Sequence, residues 1–230
     1  MRRRAALAGT LLLALAACGH DGPPRPSERQ AELYMSGLGG RGVVLRAGTD
    51  VNALYGEAMN LKARGDCAAA VPKLRPVANL GVGYENAQTA LGECLLQAAG
   101  SSDLSADYLE GLTWLRRAGD AGWPEGQFRL AMAHALGPTA IRNQAEAAYW
   151  LALYNDNAGK ARVGFVAPTA SQVAALEAAI PADAKAAGVA RATHWQRKVW
   201  IPPAPTQQAA PGPTGRGRRG GDFTDGDRGR

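Results

Sequence analysis

The chain has 230 residues, with 26 Lys and Arg against 20 Asp and Glu and a formal net charge of +6. The excess sits at the two ends: three Arg lie within residues 1–17, and five Arg against three Asp within the last 29 residues, which leaves +1 for residues 18–201. A middle so near neutrality excludes an electrostatic nucleic-acid surface.

Residues 1–17 open with Arg2, Arg3 and Arg4 and continue as an apolar run. The run is too short to span a bilayer and reads as a secretory signal. It closes on Leu15-Ala16-Ala17-Cys18, which resembles the bacterial lipoprotein signal box. That resemblance implies cleavage before Cys18, a diacylglycerol on its thiol and an acylated new amino terminus. The alternative is ordinary signal cleavage near Ala17 beside an incidental Cys. Three acyl chains, at about 0.8 kcal/mol per buried methylene, make such an anchor effectively permanent. Gly19 follows with no Asp at that place. In similar lipoproteins of Gram-negative bacteria this favours export to the outer membrane.

Residues 18–49 carry three prolines and then Gly37, Gly39 and Gly42, and read as a flexible tether. Those glycines have dinucleotide-fingerprint spacing. Without a strand before them or a helix directly after them, they are a linker.

The folded part is expected over residues 50–200. Asp50 is the candidate N-cap of a helix to residue 64, with Leu54, Met59 and Leu61 as its apolar positions and Gly65-Asp66 as its stop. The next helix, 67–81, contains Pro72 and Pro76. Interior prolines cost about 3 kcal/mol each, so a late start or a kink is expected. Residues 84–98 form a third helix with Leu91, Leu95 and Leu96 at helical spacing. A capped linker over 101–107 runs into a fourth, which ends at Ala121 and carries Leu109, Leu112, Trp114 and Leu115. Asp103, Asp107 and Glu110 are expected there as capping and dipole-complementing acids.

Pro124 opens a fifth helix, which stops at Gly137-Pro138, and residues 143–155 form a sixth. A loop over 160–168 leads to two further helices. One runs over 169–180 with Thr169 as its cap; the other runs over 182–200 with Val189, Trp195 and Val199. They read as a C-terminal capping helix pair. Residues 201–230, rich in Pro and then in Gly and Arg, cannot bury enough apolar surface to offset their ordering entropy. They read as a disordered, solvated tail. Only Phe223 is available for stacking, so contact with acidic lipid or polysaccharide is expected rather than RNA binding.

Within the folded part the pattern repeats. Gly111, Trp114 and Leu115 return 36 residues on as Ala147, Trp150 and Leu151. Ala87, Gln88 and Leu91 return 39 residues on as Gly126, Gln127 and Leu130, and Leu74 precedes Leu115 by 41. Self-similarity at such periods means stacked helix pairs, none able to bury its apolar face alone. The repeat core is accordingly Leu74, Leu91, Trp114, Leu115, Leu130, Trp150 and Leu151.

These residues resemble the Sel-one-like repeat branch of the tetratricopeptide superfamily. Gly111, Trp114, Leu115, Arg117, Ala118, Gly119 and Gly122 follow the second-helix pattern. Gly126, Leu130, Ala131, His134 and Gly137, or Ala87, Leu91, Gly92, Leu95 and Ala98, follow the first. The usual Tyr is missing from both first helices, and Tyr154 stands where Ala is expected. The resemblance implies an all-α fold, a right-handed α-solenoid of stacked antiparallel helix hairpins. It covers about half the chain and implies an adaptor role.

Chemistry finds little material. His20 lies in the tether, and His134 and His194 sit on separate helices with no Cys or acid at metal-ligand spacing. His134 falls where the family has a packing Tyr, so a core or groove-lining role is expected. Ser101 and Ser102 have no partner His. No nucleophile, phosphate loop, cofactor motif or small-molecule substrate site emerges, and the chain does not read as an enzyme. The expected function is that of a membrane-anchored envelope adaptor, whose groove holds a protein or peptide. The rival is a carbohydrate-binding or accessory module of a peptidoglycan or polysaccharide system. Tryptophans exposed on the concave face would favour the rival, and buried ones the adaptor.

With Cys18 lipidated, Cys67 and Cys94 are the two remaining thiols, in a compartment that oxidises thiols. If the chain turns near residues 80–83, they lie equidistant from that turn on antiparallel helices. A disulfide between them is expected; two small apolar cysteines packed apart are the alternative.

Overall fold

The computed structural model describes Leu45 and residues 48–100 and 105–202. Cys18 and its signal, His20, most of the tether, Asp103 and residues 203–230 lie outside the described residues. All regular structure among the described residues is helical. Helix α1 spans Val51–Ala63, and the Asp50 carboxylate accepts from the backbone N–H groups of Asn52 and Ala53, both at 3.0 Å. Those are two of the donors a helix start leaves unpaired.

Helix α2, Cys67–Ala78, is capped by Asp66 and runs as one helix through both prolines. The expected late start is not found. Pro72 faces solvent, so the carbonyl it deprives of a donor lies on the wet side, while Pro76 contributes its ring to the core. Helices α3 (Glu85–Ala99), α4 (Ala106–Asp120), α5 (Pro124–Leu136) and α6 (Gln144–Asn155) follow. Ser105 caps α4, and Asn143 caps α6. After a short 3-10 turn come α7 (Ala170–Ala179), with a Thr169–Gln172 capping box, and α8 (Ala182–Ala192).

From α1 to α6 each helix packs on the next. On one side α1 also touches α3, and α3 touches α5. The repeated residues explain the packing. Leu74, Leu91, Trp114, Leu115, Leu130, Trp150 and Leu151 are all buried, none more than 3% exposed. Where α3 crosses α4, a Cβ on Gly111 would lie 2.9 Å from the Gly92 carbonyl oxygen. Any larger side chain would push the two helices apart. The repeated glutamines have a polar task. Gln88 Nε2 donates to the Ala78 and Gly81 carbonyls, and Gln127 Nε2 to that of Gly119. Each adds a side-chain bond to carbonyls at the end of the preceding helix or in its turn, tying the two helices together there.

The C-terminal part departs from the sequence reading. The helix expected over 182–200 ends at Ala192, and residues 195–202 return as an extended strap over earlier turns. Trp195 covers Gly122, the Lys198 N–H donates to the Asp120 carbonyl at 2.8 Å, and Arg197 Nε donates to that of Ala121 at 2.8 Å. Trp200 meets Trp114 edge-on at 5.5 Å, with the Arg117 guanidinium 3.8 Å from the Trp200 ring centre. Pro202 then lies on Gly81, whose φ of 86° and lack of a side chain leave it room. The physical reason is burial: the indoles find apolar partners on α4 and its turn that continued helix would deny them. The two terminal helices pack on the last two helices of the array. Helix α8 lies against α6, with Gly188 on the Ala148 backbone, and α7 touches α5.

Candidate binding groove

The face shared by α1, α3 and α5 is concave and encloses a groove of about 720 Å³. Three stripes with the same register line it: Tyr55, Met59 and Lys62 on α1, Asn86, Ala90 and Glu93 on α3, and Glu125, Arg129 and Met132 on α5. Each stripe is spaced i, i+4, i+7, which keeps its members on one side of a helix. The opposite sides of these helices hold Ala58, Ala87, Leu91, Leu130 and Ala131, all buried. Core and groove are thus two faces of the same three helices. Tyr108, Pro138 and Val166 also line it, as does Leu115 from α4.

A ladder of charge crosses the middle. Lys62 Nζ lies 2.5 Å from one carboxylate oxygen of Glu93, and Arg129 contacts the other. Burial, and then the negative charge of Glu93, push the Glu125 carboxyl up to about 7; Lys62 and Arg129 pull it the other way. Burial, followed by the charge of Glu125, pushes the Tyr55 hydroxyl up to about 12, against a hydrogen bond with Asn86. Apolar walls around a few convergent polar groups are the usual make-up of a ligand site.

The residues singled out from the sequence fall mostly outside this groove. Cys67 and Cys94 are joined as a disulfide between α2 and α3, with Cα atoms 4.9 Å apart. His134 is half-buried near the end of α5, its Nδ1 3.2 Å from the Ile141 carbonyl oxygen, and His194 is exposed. Trp114, Trp123 and Trp150 are buried, and no tryptophan lines the groove.

Glu110 corrects the sequence reading. It neither caps α4 nor faces its dipole, but lies 2% exposed, accepting hydrogen bonds from Arg75 of α2 and from Trp114 Nε1 at 3.0 Å. Asp107 does sit in the first turn of α4, capped by Ser105.

The groove residues themselves went unread because isolated Lys, Glu and Arg look like solvated helix faces. Their common i, i+4, i+7 register is the signal that aligning the three first helices would have exposed. Among the described residues no three His, Cys, Asp or Glu gather as a metal site, and no helix is long and apolar enough to cross a membrane. Comparison with protein-family models, with curated proteins and with solved structures finds no match for this chain.

Proposed function

We propose that this chain is a cell-envelope adaptor that docks an extended segment of a partner protein in the groove of α1, α3 and α5. In this reading the helices form a right-handed solenoid of Sel-one-like hairpins. Cys18 carries the lipid, and residues 18–49 tether the fold to the outer membrane, facing the periplasm. One observation carries the docking: an open groove with two Met and several Ala on its walls, whose tryptophans are turned into the core. A saccharide platform would present indole faces to the groove, and this groove presents none.

The test has two arms. Replacing Met132 with Glu puts a charge into the groove wall; because Met132 also packs against the core, an unchanged melting temperature must accompany the result. Crosslinking in intact envelopes should recover a partner with the wild-type chain and lose it with this variant, and recovery unchanged would overturn the docking site. Separately, Cys18→Ser should leave an unprocessed or soluble product. A variant that still fractionates as a processed membrane protein would rule out the anchor.

A further inference from the structure

The charges in the groove are not evenly satisfied. Lys62 of α1 and Arg129 of α5 both close on Glu93 of α3, one on each carboxylate oxygen. All three are thereby occupied. Glu125 stands one turn before Arg129 and lines the same space, half-buried. It makes no ion pair among the described residues. A carboxylate drawn out of water, whose nearby cations are both paired with Glu93, is an unfavourable arrangement that an incoming cation relieves. An acidic segment would face Glu125 unpaired and would have to take a cation away from Glu93.

We propose that Glu125 is the recognition carboxylate of the groove: the docked partner segment is an extended peptide that sets a Lys or Arg side chain on Glu125 and apolar side chains against Met59 and Met132. The assignment rests on the docking reading above. Long basic side chains suit the site twice, since their aliphatic stems lie along apolar walls while the charged head reaches the carboxylate. The groups facing Glu125 are Glu93 from α3, Lys62 and Tyr55 from α1, Arg129 from its own helix and Trp123 just before it. With burial and Glu93 holding its carboxyl near 7, ionisation rises from about a tenth at pH 6 to about nine tenths at pH 8. Binding of a basic segment follows that rise.

The test uses the full chain and blocked nonapeptide sublibraries, each with one residue type fixed at the centre, read by displacement of a labelled pool. Sublibraries centred on Arg or Lys should bind at least tenfold more tightly than those centred on Glu at pH 8, with an advantage that shrinks severalfold at pH 6. Glu125→Gln removes the charge while keeping the shape. It should lose the basic preference and its pH dependence while retaining the preference for apolar residues at other positions.

An acidic preference, or a basic one that survives in Glu125→Gln, would overturn the assignment. Peptides selected on apolar residues alone would leave docking in place and remove only the role of Glu125. If no sublibrary binds, the docking reading itself fails, and this inference with it. A tenfold gain in basic-peptide affinity when Arg216, Arg218 and Arg219 are replaced by Gln would make the chain's own tail the occupant and overturn a separate partner.

Discussion

Two glutamates of this chain face opposite electrostatic situations. Glu110 is buried with its charge answered: Arg75 reaches it from α2, Trp114 donates its indole N–H, and Arg117 lies close enough to feel it. Glu110→Gln would leave those guanidinium groups facing a neutral amide, with a loss of about 2–4 kcal/mol, since breaking a buried pair costs more than the pair contributes. Urea denaturation should report this as a lower midpoint at unchanged slope.

Glu125 behaves in the reverse sense. Its carboxyl is raised from 4.5 in the open chain to about 7 in the fold, so the folded state holds a proton that the unfolded state releases. Its stabilising contribution is complete below about pH 4.5 and lost by the time the pH passes about 7. Glu125→Gln should therefore stabilise the protein at pH 8, by on the order of 1 kcal/mol after allowance for solvent screening, and change little at pH 4. Paired melts at the two pH values check the sign. Neither behaviour was legible in the sequence: Arg75 lies 35 residues before Glu110, and a linear reading shows only that Glu110 is near a helix start.

At the scale of elements, caps and periodicity carried most of the information. Asp50, Asn143 and Thr169 each accept from the backbone at the start of the helix they were expected to open. These signals are local, within four residues, and so survive in one dimension. Helix α2 shows the limit of such local rules, because two interior prolines argue against a helix that tertiary contacts retain. Its first turn is tied to α3 by Cys67–Cys94, 27 residues apart in sequence. Closing a loop of that size contributes roughly 3–4 kcal/mol through chain entropy. Replacing both cysteines with Ser should lower stability by about that amount. Hydrogen exchange should then show the first turn of α2 opening before the rest. Loss of protection spread evenly over all helices would argue against a local role for the bridge. The strap escaped notice for the converse reason. Val189, Trp195 and Val199 keep an apolar rhythm, but the partners of Trp195 and Trp200 lie on α4 and its turn, more than 70 residues earlier.

For the molecule as a whole, the strap changes what kind of array this is. Helices that touch only their chain neighbours unfold like a zipper, fraying from either end with stability that adds segment by segment. Here Trp200 is set against Trp114, and Pro202 against Gly81, joining residues 195–202 to α4 and to the turn between α2 and α3. Contacts of such long sequence separation raise the contact order, so folding is slowed, and the two ends cannot open independently. The intact chain should melt in one transition with matching calorimetric and van't Hoff enthalpies. A chain ending at Ala192 should fold faster, melt lower and show α8 and α6 losing protection before α3. Coincident loss in both chains would mean that cooperativity comes from the core alone. A fastened array also holds its helices in place, so in the docking reading proposed above the groove would meet its ligand already shaped, with little of the binding free energy going into ordering the receptor.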